Sequence, residues 1–257
     1  AVLVAYIGML GGEDPQQRLL FAKHLITASI MSAPASLYIA KIICPQVERV
    51  DETISVPKEK IGANALEAIA TGTTDGLKLA VNVGAMLLVF TALVAMTNAI
   101  LGWAAGPHAI DWMGVKWAGL NDIISNATGG RYTSLSLQYI MGLVFAPFAW
   151  LMGIDAGSLT IAGQVVGEKT ILNEFYAYGT LGKLIQGGLL PDVRAQIILT
   201  YALCGFANIA SIGILIGGIG VLAPNQRSVL AQLGVKSLIG GTLCCFIGAA
   251  IAGILTK

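Results

Sequence analysis

Charged residues are scarce in this chain: 15 basic and 14 acidic side chains make up 11% of its 257 residues, against 56% hydrophobic. A water-soluble domain of that length needs far more polar cover, and a mean hydropathy of +0.78 points to lipid as the solvent. A net charge of +1 leaves no basic field for nucleic acid, so no nucleic-acid partner is expected, and no acidic tail suggests disorder. Histidine is nearly absent. His24 and His108 are too isolated to form a metal cluster and read as solvated or interfacial. The four cysteines, Cys44, Cys204, Cys244 and Cys245, show neither zinc-site spacing nor a secreted disulfide framework, and read as small apolar packing residues. The opening apolar run, residues 1–10, carries no basic segment or cleavage site resembling a signal peptide. Ten residues rise only about 15 Å, half a hydrocarbon core, so this run is expected to be the end of a cut helix.

Long uncharged stretches are what the chain has instead. Residues 19–44 can span a bilayer, with Lys23 and Lys41 near the ends and Pro34 in mid-span, where a kink is expected. Charges crowd between residues 45 and 60 and mark an aqueous connector. From Ile61, small or apolar positions (Ala65, Ile69, Gly72, Gly76) alternate with Asn64, Glu67, Thr71 and Asp75, the pattern of a helix lying in the interface. Residues 79–106 carry no charge and read as the clearest full span. Trp112 and Trp117, in the polar connection after that span, read as interface anchors. Residues 133–154 hold Pro147 among bulky aromatics and predict an interfacial or oblique helix. Two further spans are expected at residues 195–226 and 237–256, antiparallel because the Pro224-Asn225-Gln226-Arg227 loop is short. Gly213 with Gly217, and Ala249 with Gly253, have the spacing that lets helices approach closely. The Gly217-Gly218-Ile219-Gly220 run has no strand before it and is not a phosphate loop.

Residues 158–188 break the spanning pattern. Two apolar pieces, 159–166 and 171–181, flank Gly167-Glu168-Lys169-Thr170, and neither alone is long enough to cross. Short helices joined at a polar tip predict a re-entrant hairpin, which is tolerated at membrane depth only against protein or a water-filled cavity. Glu174 lies just past the tip. A carboxylate at that depth costs roughly 2.5 to 3.5 kcal/mol, so it is either a ligand or ion partner, or a structural group hydrated at the interface or paired with Lys169. A second polar pair, Asn208 and Ser211, three residues apart, falls on one face of a predicted helix. Both could bind one ligand or only join neighbouring helices.

Four blocks resemble the concentrative nucleoside transporter family: Ala28-Ser29-Ile30-Met31-Ser32-Ala33-Pro34-Ala35, Asn82-Val83-Gly84-Ala85, Gly167-Glu168-Lys169-Thr170 with Asn173-Glu174-Phe175, and Tyr201 through Asn208 on to Ser211-Ile212-Gly213. The resemblance implies an all-α polytopic membrane protein, a homotrimer in which each protomer pairs a scaffold with a mobile transport domain of inverted repeats, moving elevator-fashion. On it, residues 1–60 are the end of the first repeat. Residues 61–132 supply an interfacial helix and a scaffold span, and residues 133–257 form the second repeat. The resemblance further implies that Glu174, Asn208 and Ser211 bind the ribose hydroxyls, that Phe206 lies against the nucleoside, and that Val2 lies near the base. The family's first hairpin and its coupling-ion site are absent from this sequence, so the ion is sodium or, alternatively, a proton, and no metal ligand is assigned. No cofactor is implied. The protein is expected in the plasma or inner membrane, in contact with lipid.

Two other classes compete. A channel or structural subunit would use Asn208 and Ser211 to line a pore or join helices. A membrane-embedded enzyme would use Glu174 as acid or base, but no nucleophile with a base beside it is present, and the chain is not expected to be an enzyme.

Overall fold

The computed structural model describes residues 2–45, 47, 64–106, 108–110, 115–117, 119–130, 132–209, 211–213, 215–216 and 224–256. Residues 48–60 of the expected connector, Trp112, and the glycine run 217–220 lie outside them. Helix α1 (Val2–Gly11) ends at Gly12, which turns the chain with a positive φ of 55°. Asp14 then caps α2 (Pro15–Ile43): its carboxylate accepts from the Gln16 N–H, and Pro15 takes the first helical position, where a missing N–H is no loss. α2 stays helical through Pro34, beside which the Ser32 and Ser36 hydroxyls bond back to carbonyls three residues earlier. Cys44, expected to be packed, is exposed at its end.

A single helix, α3 (Ala65–Ala104), replaces the expected pair of an interfacial helix and a separate span. No proline interrupts the junction near residue 78, and the Thr73 and Thr74 hydroxyls bond back to the Ile69 and Ala70 carbonyls within the helix, so the hydrogen-bond ladder runs on. The cap is at the start, where the Asn64 side chain accepts from the Glu67 N–H. Beyond α3 a short antiparallel ribbon, β1 (His108–Ile110) and β2 (Val115–Trp117), pairs His108 with Trp117 and Ile110 with Val115. This ribbon is the one departure from an all-α chain among the described residues. Asn121 of α4 (Leu120–Ala127) donates to the Gly102 carbonyl, and Asn98 of α3 accepts from the first N–H of α5 (Leu137–Leu151) while donating to Gln138. Amides thus fasten the end of α3 to α4 and α5.

α5 packs on α6 (Leu159–Ile171) through glycine. A Cβ added at Gly142 would meet the Thr160 carbonyl oxygen at 2.8 Å, and one at Gly167 would meet the Met141 Cβ at 2.5 Å; only missing side chains let these backbones approach so closely. Of the pairs expected to do this, Ala249 and Gly253 are buried, and a Cβ at Gly253 would press on Ile198. Gly213 has open space around it instead.

Three more helices complete the core: α7 (Glu174–Gln186), α8 (Val193–Leu203) and α9 (Arg227–Leu255). Leu10, Phe21 and Leu25 from the first two helices bury against Tyr178, Leu181, Leu199 and Ala249 of these three. The expected span over residues 195–226 is not continuous. α8 stops at Leu203, and helical backbone resumes only at Ile209. Gly205 weakens the helix there and Asn208 offers a side-chain cap, so the backbone leaves the ladder at low cost. α9 runs unbroken beside both halves, with Gly253 against Ile198, Gly241 against Ala207 and Gly234 against Ile212, which is the expected antiparallel register. At 29 residues it rises about 43 Å, enough to cross a hydrocarbon core of about 30 Å, as is α2.

Candidate functional site

The break between α6 and α7 falls later than the sequence suggested. Glu168, Lys169 and Thr170 remain helical, and the chain leaves the helix only at Leu172 and Asn173. Each of the three finds a partner that supports the helix: Gln164 donates to Glu168, the Lys169 Nζ donates to the Ala202 carbonyl oxygen, and the Thr170 hydroxyl bonds to the Val166 carbonyl. Asn173 does what a cap does, its side chain accepting from the Tyr176 N–H at 2.9 Å. Glu168 faces Thr180 and Lys183 of α7, so the two helices fold back on each other. Each has 13 residues, about 20 Å, too short to cross alone.

This cap makes Glu174 the first residue of α7. Its side chain is 5% exposed. One carboxylate oxygen accepts from the Asn208 amide at 3.1 Å and the other from the Tyr6 hydroxyl at 3.4 Å. Lys169 does not take the carboxylate, having turned to α8. Asn208, 3% exposed, is itself a cap: its amide oxygen accepts from both the N–H of Ser211, at 2.8 Å, and its hydroxyl, at 2.9 Å. The three-residue spacing of Asn208 and Ser211 therefore reflects a helix start and not a shared helical face. Two helix breaks, far apart in sequence, meet through one carboxylate and one amide.

A cavity of about 350 Å³ opens beside Glu174, lined among others by Val2, Tyr6, Ser29, Ser32 and Phe206. Phe206 is 72% exposed, whereas Asn208 and Ser211 are buried behind the carboxylate. The geometry thus joins Glu174, Asn208 and Ser211 in one network and puts Val2 and Phe206 on the wall beside it. A carboxylate accepts about four hydrogen bonds, so Glu174 keeps capacity facing the cavity. The sequence alone assigned no binding role to Tyr6, Ser29 or Ser32. Tyr6 stacks on Tyr178 with ring centroids 4.2 Å apart, and the Tyr178 hydroxyl is anchored on the Thr200 carbonyl. Ser29 and Ser32 share a helical face at i and i+3, a signal present in the sequence but masked by hydroxyls that also bond back to their own helix.

Broken helices and buried ionisable groups wrapped in an apolar exterior define an integral membrane protein with a polar network inside its helical body. Comparison with known proteins narrows the class. The family model described as "Na+ dependent nucleoside transporter C-terminus" matches residues 24–253. An uncharacterized transporter of Haemophilus influenzae is 41% identical over 235 residues, covering 90% of this chain and 51% of the relative. Nucleoside permease NupC of Helicobacter pylori is 39% identical over 233 residues, covering 90% of this chain and 50% of the permease. The structure of CNTnw in an inward-facing substrate-bound state superposes with a TM-score of 0.75 at 35% identity, covering 100% of this chain and 54% of that one. The chain belongs to the nucleoside transporter family that this model describes. It spans about half the length of these relatives.

Proposed function

We propose that the protein is a secondary active transporter that carries nucleosides across the plasma or inner membrane, coupled to a sodium gradient. The observation that carries this reading is Glu174, buried at the meeting of two helix breaks and open on one side to a cavity of about 350 Å³. That volume lies within the range of about 300–1,000 Å³ usual for small-molecule sites. In this reading the Glu174 carboxylate accepts from the ribose hydroxyls, Asn208 holds that carboxylate in place and shares the diol, and Ser211 fixes the Asn208 amide. Phe206 and Val2 supply apolar surface to the base. A site with a buried acceptor for a diol rejects ligands that lack one, because the acceptor is then left unpaired.

Sodium is favoured over protons by the description of the matched family. Helices α6 and α7 form the re-entrant hairpin of the second repeat, residues 133–257, and α1 and α2 complete the transport domain from residues 1–60. α3, whose last turns Asn98 and Gly102 tie to α5 and α4, belongs to the scaffold of residues 61–132 on which a homotrimer assembles in lipid. The transport domain then moves elevator-fashion past that scaffold.

The test is accumulation of labelled uridine in proteoliposomes by the protein as its gene encodes it. Uptake against the gradient, saturable and sodium-dependent, is expected, and Glu174→Gln is expected to lower it by at least about 100-fold, the loss of more than one charge-assisted hydrogen bond. Flux that only runs downhill and does not saturate would point to a channel instead.

A further inference from the structure

Lys169 is 1% exposed, a fully buried ammonium in a chain that spends few charges inside. Its Nζ donates to the Ala202 carbonyl oxygen at 2.8 Å. Ala202 lies in the last turn of α8, where carbonyls have no helical partners and the helix carries its negative partial charge. Five residues along the same hairpin, Glu174 meets Asn208, which caps the half-helix beginning at Ile209, the end with positive partial charge. The hairpin therefore sets its cation on the carbonyl end of one half of the broken span and its anion on the amide end of the other.

Packing does not explain this lysine. A methionine of similar length would fill the same space but leave the Ala202 carbonyl oxygen without the donor it now has, so the ammonium is present for that contact and not for its bulk. We propose that Lys169 is a positioning residue: it holds the carbonyl end of α8 at a set distance from Asn208, so that the gap across residues 204–208 keeps the shape that presents Glu174 and Phe206 to the ligand. The proposal rests on the nucleoside reading of that cavity and adds to it a residue that does not line the cavity.

The experiment uses the full protein in lipid nanodiscs, with uridine as the probe. Lys169→Met is expected to lower the melting temperature by only a few degrees, to weaken uridine binding about tenfold through the lost charge-assisted contact, and to speed amide exchange across residues 203–208 while α6 and α9 exchange as before. Should the Met variant not fold, Lys169→Gln is read by the same measurements. Unchanged affinity, or unchanged exchange at 203–208, overturns the proposal. Loss of fold in both variants also overturns it, by assigning the lysine to the structure alone. If the unaltered protein binds no uridine, the nucleoside reading fails, and exchange at 203–208 still decides the role of Lys169.

Discussion

Glu174 and Asn208 each serve two purposes at once. Asn208 caps a helix with its oxygen and holds a carboxylate with its nitrogen, so both ends of the amide are fixed and its orientation is unambiguous. Glu174 in turn sits where the first N–H groups of α7 favour a negative charge, which offsets part of the cost of burying it. Tyr6 is the more dispensable partner: its ring stays stacked on Tyr178 without the hydroxyl. Tyr6→Phe is therefore expected to raise the KM for uridine about threefold to tenfold, the worth of one ordinary hydrogen bond, with kcat nearly unchanged. A Phe variant as impaired as Glu174→Gln would mean that Tyr6 touches the ligand itself.

At the scale of elements, the site is made by where helices stop. α6 and α7 part at Leu172 and Asn173, and α8 parts from its continuation at residues 204–208. α9 has no such gap and braces both halves of the broken span. A close contact between elements is the glycine seam of α5 and α6, where Gly142, Gly163 and Gly167 leave no space for a side chain. Gly163→Val is expected to destabilise the protein by about 1–3 kcal/mol or more, the usual result of overpacking, and to lower the yield of folded protein. Thermal unfolding in detergent measures this. A melting temperature equal to that of the unaltered protein would show that the seam can open without penalty.

For the whole molecule, the proposed coupling predicts which gradient matters. Uridine accumulation in proteoliposomes is expected to collapse when a sodium ionophore equalises sodium and to survive a protonophore. The opposite pattern would transfer the coupling to protons. The chain covers about half of the relatives it matches, so these measurements belong to the protein as the gene encodes it. α3 presents exposed Leu88, Leu93, Met96 and Ile100 and is tied to the rest by Asn98 and Gly102, as a scaffold helix lining lipid or a subunit contact would be.

Composition and local pattern decided a good deal without any fold. Scarce charge dictated helices in lipid, Asp14-Pro15 dictated where α2 begins, and the isolated Glu174 marked the place where a buried carboxylate needs a reason. Residues 158–188 were legible as interrupted helix because their apolar pieces are too short to span. What only the tertiary structure decided is where the interruptions fall. Helix ends depend on partners supplied by distant chain, and Lys169 stays helical because the Ala202 carbonyl, 33 residues away in sequence, receives its ammonium. The same holds for Asn208 and Ser211, whose spacing suits a helical face and a helix cap equally, until Glu174 from another helix settles the orientation of the amide. Val2 and Tyr6 join this site for a like reason: α1 packs against α7, and burial of apolar surface between helices is blind to the distance along the chain that separates them.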